Sequence, residues 1–445
     1  MEKNQLAEQS LRYHSLPAPG KIRISSSKPC STQHDLALAY TPGVAVPCLE
    51  IKRDKTEVWK YTNRSNCVAV VSDGTAVLGL GNIGPEAGMP VMEGKAVLFK
   101  TFADIDAVPL CLSHVHGSDG KTDAGKLIDA VRTLEPSFGG INLEDIGAPA
   151  CFHVEKTLKQ QMGIPVFHDD QHGTAIISLA GILNALKVVG KKIGDCRFVM
   201  NGAGAAGIAC AEYYISAGAK RENFLLCDSK GVIRKSRTDL TPEKQRFAQD
   251  TSCATLADAI KGADVFMGVS VAKALTPDMV RSMAPGAVVF AMANPEPEIF
   301  PDQALAAGAA VVGTGRSDYP NQVNNVLGFP GIFRGALDTR ATDINEAMKL
   351  AASYALTEIV CEKMPESVRK ILSEAYPADA ASGMFDGEIP LKNTLVIPKP
   401  FDPRVVPRVA RKVAEAAMKS GVARIQIADL DAYEKSVAER IGKEW

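Results

Sequence analysis

The sequence predicts an α/β chain: a mixed α/β domain, then a doubly wound parallel-sheet domain, with C-terminal helices packing back across both. Three observations predict it. From about residue 195, short apolar strands ("CRFVM", "NFLLCD", "DVFMGV", "AVVFAMAN", "AAVVGT") alternate with helical stretches. That alternation implies crossover helices on both faces of a mostly parallel sheet. Between about 36 and 165, strand-like runs ("CVAVVS", "AVLFK", "VPLCL") mix with loops rich in Gly and Pro. Beyond 343 the pattern turns helical. "DINEAMKLAASYALTEIVCEK" is amphipathic at the helical period, and two helical stretches follow "IPKPFDP", near 404–419 and 430–441. We expect domains at 1–165, 166–390 and 391–445, with residues 1–35 a polar arm or short helix.

Composition narrows the function. The 445 residues are 46% apolar and 23% charged, with a formal net charge of -1. No run of one sign supplies the basic footprint that nucleic acid requires. The longest apolar stretch, "TAIISLAGILNALKVVG", is interrupted by Ser178, Asn184 and Lys187 and is short for a membrane span. "MEKNQLAEQS" has acids and no apolar core, unlike a signal peptide. Ten cysteines without C-x-x-C pairs read as reduced thiols in a cytoplasmic protein.

G-x-G-x-x-G occurs twice. The second copy, Gly202-Ala203-Gly204-Ala205-Ala206-Gly207, follows the strand "RFVM" and opens the helix "IACAEYYISAG". Asp228 ends the next strand 21 residues past Gly207. This is the context of a Rossmann-like dinucleotide site: glycines let the backbone approach the pyrophosphate, and the helix N-terminus offers free N–H groups. The first copy, Gly79 to Gly84, precedes "PEAGMPVMEGK". Pro85, Gly88, Pro90 and Gly94 argue against the required helix, so we expect a tight loop that lets backbone close on a substrate or positions Lys95. Asp228 alone favours NAD, because a carboxylate accepts from a ribose 2′-OH. Ser229, Lys230, Lys244 and Arg246 suit a 2′-phosphate, and physics alone leaves the choice open.

Carboxylates cluster in "GINLEDIGAP" (Glu144, Asp145) and "IPVFHDDQHGTAI" (Asp169, Asp170). Oxygen-only ligands suit Mg²⁺ or Mn²⁺. His168 and His172, four apart, would make a zinc pair on one helical face. Pro165 and Gly173 instead suggest a strand-to-helix turn, with the histidines in a hydrogen-bonding shell or ordinary packing. Lys95, read as leading into an apolar strand, is a candidate general base if burial and a cation lower its pKa. Tyr40, before Thr-Pro-Gly, either donates a proton or packs.

Together these stretches resemble the malic enzyme family. "YTPGV", "SDGTAVLGLGNIGPEAGMPVMEGKAVLFK", "FGGINLEDI", "PVFHDDQHGTA", "GAGAAGIA", "ANPEPEI" and "NQVNNVLGFPGIF" are similar to its motifs in its order, from about 36 to at least 335. The wording is that of the short bacterial-type subunit. The resemblance implies metal-dependent oxidative decarboxylation of L-malate to pyruvate and CO₂ with reduction of NADP, NAD being the alternative. It implies that Glu144, Asp145 and Asp170 hold Mg²⁺ or Mn²⁺, that Lys95 is the general base tuned by Asp169, and that Tyr40 is the general acid. Asn294 and Asn325 match asparagines that hold the substrate carboxylate, Asn294 lying also at the cofactor. Gly202, Gly204, Ala205, Ala206, Gly207, Asp228, Ser229 and Lys230 match the cofactor site. "CDSKG" is similar to NADP-using members. Ala76 stands where long-subunit members carry an arginine. A homodimer is expected, with Tyr40 or Lys95 reaching the partner's site. The rivals are an amino-acid dehydrogenase, which needs no metal set, a metal-dependent oxaloacetate decarboxylase, and a nucleotide-sensing module.

Overall fold

The computed structural model describes residues 3–442 except Leu78, and the side chains of all of these but Lys3, Asn4 and Ala205. Two sheets organise the chain. The first is parallel, in the order β2-β1-β3-β4, from β1 (Cys67–Ser72), β2 (Asp106–Cys111), β3 (Gly140–Leu143) and β4 (Val166–His168). The second has the order β10-β9-β8-β5-β6-β7. Its strands are β5 (Phe198–Asn201), β6 (Phe224–Asp228), β7 (Gly231–Val232), β8 (Val265–Gly268), β9 (Val288–Ala291) and β10 (Val311–Thr314). Every pairing in it is parallel except the two-residue edge strand β7. The order reverses at β5, whose neighbours are β6 and β8. In doubly wound sheets the crevice at such a switch point, at the carboxyl ends of the strands, takes the ligand.

The inner strands are mostly apolar because both faces are covered. In β1, Val68 and Val70 join the large central core, while Ala69 and Val71 join a second core with Leu127, Val131 and Val154. In β5, Phe198 and Met200 face the central core and Val199 faces a third. The helix Asp169–Val188 is buried on nearly all sides and links the sheets, with Ile176, Leu179 and Ile182 in the same core as Val68 and Phe198. The C-terminal helix Val405–Lys419 packs back on the helices Phe329–Asp338 and Glu346–Cys361, and Leu430–Arg440 packs on it in turn. The N-terminal arm contains the helix Lys3–Ser15. β4 pairs with β3, so the first sheet extends past residue 165.

One expectation fails. "PEAGMPVMEGKAVLFK" is neither a loop nor a strand but the helix Pro85–Ala103. Pro85 sits where a helix tolerates proline, at the first position, where its missing N–H would be unpaired anyway. Met92, Ala96, Phe99 and Ala103 then form a buried stripe at helical spacing. Phe99 meets Phe329 and Phe333 edge-on, with ring centroids 4.7 and 5.3 Å apart. Burying a Phe is worth about 1.5–3 kcal/mol. That offsets roughly 1 kcal/mol for each glycine and about 3 kcal/mol for Pro90 only when the whole stripe is counted. Among the described residues, no helix is long and apolar enough to cross a membrane.

Candidate active site and cofactor crevice

The helix Pro85–Ala103 carries Lys95 into the interior, where it is 9% exposed. β3 ends at Leu143, which sends Glu144 and Asp145 off the carboxyl edge of the first sheet. β4 ends at His168, and Asp169 and Asp170 form the first turn of the next helix. These four carboxylates therefore arrive at the ends of two adjacent strands. Lys95 Nζ donates to Asp169 Oδ2 at 2.6 Å and lies 2.8 Å from Glu144 Oε1. It also sits 4.2 Å from the centroid of the Phe329 ring. Asn325 Nδ2 donates to Asp169 Oδ2 at 3.2 Å, Asn142 Nδ2 to Glu144 Oε2 at 2.8 Å, and the Asp145 N–H to Asp170 Oδ2 at 2.7 Å.

The electrostatics follow from this crowding. Burial and the nearby Asp170 and Asp169 charges push the Glu144 carboxyl well above the usual range, against the pull of Lys95. Burial pulls the Lys95 amine down, but Asp169 and Glu144 outweigh it and hold the amine above its ordinary value. Two carboxylates, Glu144 and Asp169, face Lys95, and Asp145 and Asp170 follow them on the same two strand ends, so the chemistry of this acid set fits a divalent cation bound through oxygen. The side chains do not yet converge: among the described residues, no three His, Cys, Asp or Glu side chains form a ready metal cage.

The geometry argues against the zinc pair. His168 is the extended residue before the helix, and its buried ring has no hydrogen-bond partner at either nitrogen. His172 turns away to Glu155, with Nε2 at 2.9 and 3.0 Å from the two carboxylate oxygens. A cavity of about 380 Å³ lies beyond His172, lined also by Glu212, Tyr213, Glu346 and Lys349, and by none of the other candidate site residues.

The two glycine fingerprints differ physically. Gly204 is exposed, precedes the helix Ala205–Ser216, and has nothing within 4 Å of where a Cβ would stand. Gly207 is the opposite, because a Cβ there would sit 1.7 Å from the Gly202 carbonyl oxygen. The loop thus needs one glycine for its own packing and keeps another open to a ligand. The helix has no acid in its first turn, and the Ala205 side chain lies outside the described residues. The first fingerprint does open a helix, contrary to expectation. That helix starts with Pro85, which has no N–H, and Glu86, which repels phosphate.

At the end of β6, Asp228 is not free to accept from a ribose. Arg237 grips it bidentately at 2.8 and 3.0 Å, Lys244 Nζ donates at 2.8 Å, and the Lys230 N–H donates at 3.0 Å. Burial raises its carboxyl, but Arg237 and Lys244 overcome that and hold it at about 2. Lys230 Nζ and Arg237 also hold Asp239. Three cations thus meet two carboxylates beside the exposed Ser229. Arg237 went unnoticed in the sequence. Arg246, expected in this group, pairs instead with Glu212 at 2.8 Å.

The remaining site residues are dispersed. Asn294 is exposed at the end of β9, beside Gly315. Tyr40 ends the helix Gln33–Ala39 and is 70% exposed. Lys95 bonds Asp169 of its own chain. Ala76 donates its N–H to the Asp145 carbonyl at 3.0 Å.

The architecture is that of a two-sheet α/β protein with a Rossmann-like dinucleotide-binding half. The chain belongs to the malic enzyme family: residues 19–159 match the malic enzyme N-terminal domain and 171–377 the malic enzyme NAD binding domain. It is 53% identical over 442 residues to an NADP-dependent malic enzyme of Haemophilus influenzae, covering 99% of this chain and 56% of that one. A bifunctional malic/malolactic enzyme of Bacillus subtilis is 51% identical, covering 97% of this chain and 98% of that protein. The crystal structure of malic enzyme from Pyrococcus horikoshii superposes with a TM-score of 0.85 at 42% identity, covering 98% of this chain and 96% of that chain. The chain spans about half the length of the first of these relatives.

Proposed function

We propose that the chain catalyses oxidative decarboxylation of L-malate to pyruvate and CO₂ with reduction of NADP. One observation carries the reading: buried Lys95 is hydrogen-bonded to Asp169 and lies beside Glu144, at two strand ends that also carry Asp145 and Asp170. Glu144, Asp145 and Asp170 would hold Mg²⁺ or Mn²⁺. A cation held there would supply the electrophile that acidifies the C2 hydroxyl and carries charge as CO₂ leaves, and bound NADP would supply the hydride acceptor. Lys95 takes the hydroxyl proton. Asp169 and Phe329 fix its amine in place, and neutralising the carboxylates around it frees it to act as a base. Asn325 orients the substrate carboxylate from beside Asp169, and Asn294 does so from the nicotinamide side. Gly202 to Gly207 take the pyrophosphate. Arg237 and Lys244, having neutralised Asp228, turn that strand end toward a 2′-phosphate.

Tyr40 protonates C3. Its exposure, and the absence of any buried residue in the helices Gln33–Ala39 and Ala45–Arg53, support a homodimer in which Tyr40 serves the partner's site. The ten unpaired cysteines support a cytoplasmic setting.

The test follows nicotinamide absorbance with L-malate and NADP or NAD, with Mn²⁺ and then with chelator. Chelator-sensitive reduction of NADP with pyruvate formed is expected. Reduction of NAD alone would overturn the roles of Arg237 and Lys244. No reduction, but decarboxylation of oxaloacetate, would replace the oxidative reading.

A further inference from the structure

The helix that begins at Asp169 lacks an ordinary cap. His168 stands at the cap position, yet its side chain makes no bond to the helix. A helix start has N–H groups with no partner of their own. Glu155, from the helix Ala150–Gln161, supplies an acceptor from outside: its Oε1 takes the His168 N–H at 3.2 Å. The same carboxylate accepts from His172 Nε2, one turn further on. Lys349, from the helix Glu346–Cys361, reaches His172 Nδ1 at 3.2 Å and also pairs with Glu346.

The direction of this chain is fixed by chemistry. A lysine ammonium only donates and an ionised carboxylate only accepts. The ring between them therefore accepts at Nδ1 and donates at Nε2. A second tie runs parallel: Lys159, one turn past Glu155, holds Asp343 at 2.9 Å and the Ile344 carbonyl at 2.7 Å, just before the Lys349 helix. Glu155 and Lys349 are 6% and 4% exposed, so water screens neither well. A carboxylate at a helix N-terminus is favoured by the helix dipole besides.

We propose that Glu155, His172 and Lys349 are positioning residues: a hydrogen-bonded chain that locks the first helical turn and so aims Asp169 at Lys95 and Asp170 at the metal. Successive helical residues point about 100° apart. A small rotation of this turn moves both aspartates at once, Asp169 away from Lys95 and Asn325, and Asp170 away from Asp145. None of the three positioning residues touches Lys95 or the glycine loop in any hydrogen bond described above. Their effect should therefore fall on metal and substrate and spare the nucleotide.

The inference rests on the reading of Asp170 as a metal ligand, and its test separates the two. Free Mn²⁺ is measured by electron paramagnetic resonance without malate, and NADP binding by titration, on the full chain and on Glu155→Ala, Glu155→Gln, Lys349→Met and Asp170→Asn. Glu155→Ala is expected to weaken Mn²⁺ binding by about 10- to 100-fold, as loss of a ligand-orienting partner does elsewhere, with NADP affinity unchanged. Glu155→Gln, which keeps an acceptor oxygen, should recover part of that loss. Lys349→Met should weaken Mn²⁺ less than Glu155→Ala, and it carries the test if Glu155→Ala does not fold. If Asp170→Asn abolishes Mn²⁺ binding while the Glu155 and Lys349 variants bind as the parent does, the positioning chain is refuted. If Asp170→Asn itself leaves Mn²⁺ binding intact, the metal reading fails first. A parallel fall in Mn²⁺ and NADP affinity would mark general damage and overturn the proposal.

Discussion

Gly204→Ala separates cofactor binding from folding. The glycine has φ -81, which alanine adopts without strain, and its added Cβ would meet nothing within 4 Å. Folding stability should therefore hold, or rise by about 0.4–1 kcal/mol as the unfolded chain loses freedom. The open space is where we propose the pyrophosphate lies. A methyl group there lifts phosphate oxygens off the backbone N–H groups. Losing one charge-assisted hydrogen bond costs roughly 1.5–3 kcal/mol, or about 10- to 100-fold in NADP affinity. Gly207→Ala should behave in the opposite way. Its Cβ would lie 1.7 Å from the Gly202 oxygen, so the loop must move and stability itself should fall. Gly81→Ala, in the first fingerprint, has open space but φ +75, so it should cost about 1–2 kcal/mol of stability with no effect on NADP. The assay is thermal unfolding beside calorimetric NADP titration for all three. Parental NADP affinity in a folded Gly204→Ala protein would refute the placement of the cofactor, as would a larger affinity loss in Gly81→Ala.

Lys95→Ala should lose about 10²–10⁴-fold in turnover with NADP binding intact, measured by steady-state rates and titration; near-parental turnover removes Lys95 from the base role. Lys244→Gln should raise the KM for NADP by roughly 10-fold, consistent with a partly exposed phosphate contact worth about 1.4 kcal/mol, and leave that for NAD nearly unchanged. Equal effects on both cofactors would contradict the 2′-phosphate assignment. Burial raises the Glu155 carboxyl, but the hydrogen bond from His172 and the Lys159 charge outweigh it and hold the carboxyl below its ordinary value. Because its folded pKa lies below the ordinary 4.5, its stabilisation is present above that value and is lost as pH falls toward 2. The shift corresponds to at most about 3 kcal/mol. Urea midpoints should therefore drop more steeply between pH 5 and pH 3 (approximately that window) for the parent than for Glu155→Gln, and identical slopes would discredit it. Finally, mixing inactive Tyr40→Phe and Lys95→Ala subunits should restore activity if Tyr40 serves the partner; a mixture as dead as its components argues that Tyr40 acts within its own chain.

Much of the fold was legible because buried parallel strands write themselves as short apolar runs. β5, β6, β8, β9 and β10 stand where the alternation put them, and the helices Glu346–Cys361 and Val405–Lys419 lie within a few residues of their expected bounds. Pro85–Ala103 was illegible for a physical reason. Local propensity counted two glycines and Pro90 against it, while its support comes from Phe329 and Phe333, more than 200 residues away. Tertiary burial overrides propensity in such a case.

The site divides along the same line. Glu144, Asp145, Asp169 and Asp170 were visible as pairs because each pair sits at one strand end, and strand ends are local. Arg237 was not, because nothing in "RKSRTD" separates it from Arg234, which is four residues from Lys230 rather than seven. Only the turn from β6 into β7 brings residue 237 back onto Asp228. Glu155 is harder still. In "ACFHVEKTLKQQ" it reads as one more solvated helix acid. Its value lies in a distance between two helices, 2.9 Å to His172, that no spacing along the chain encodes. The pattern of two histidines four apart therefore pointed to the right turn of helix for the wrong reason: His172 is there to be held by Glu155, and holding it keeps the two aspartates between the histidines in aim.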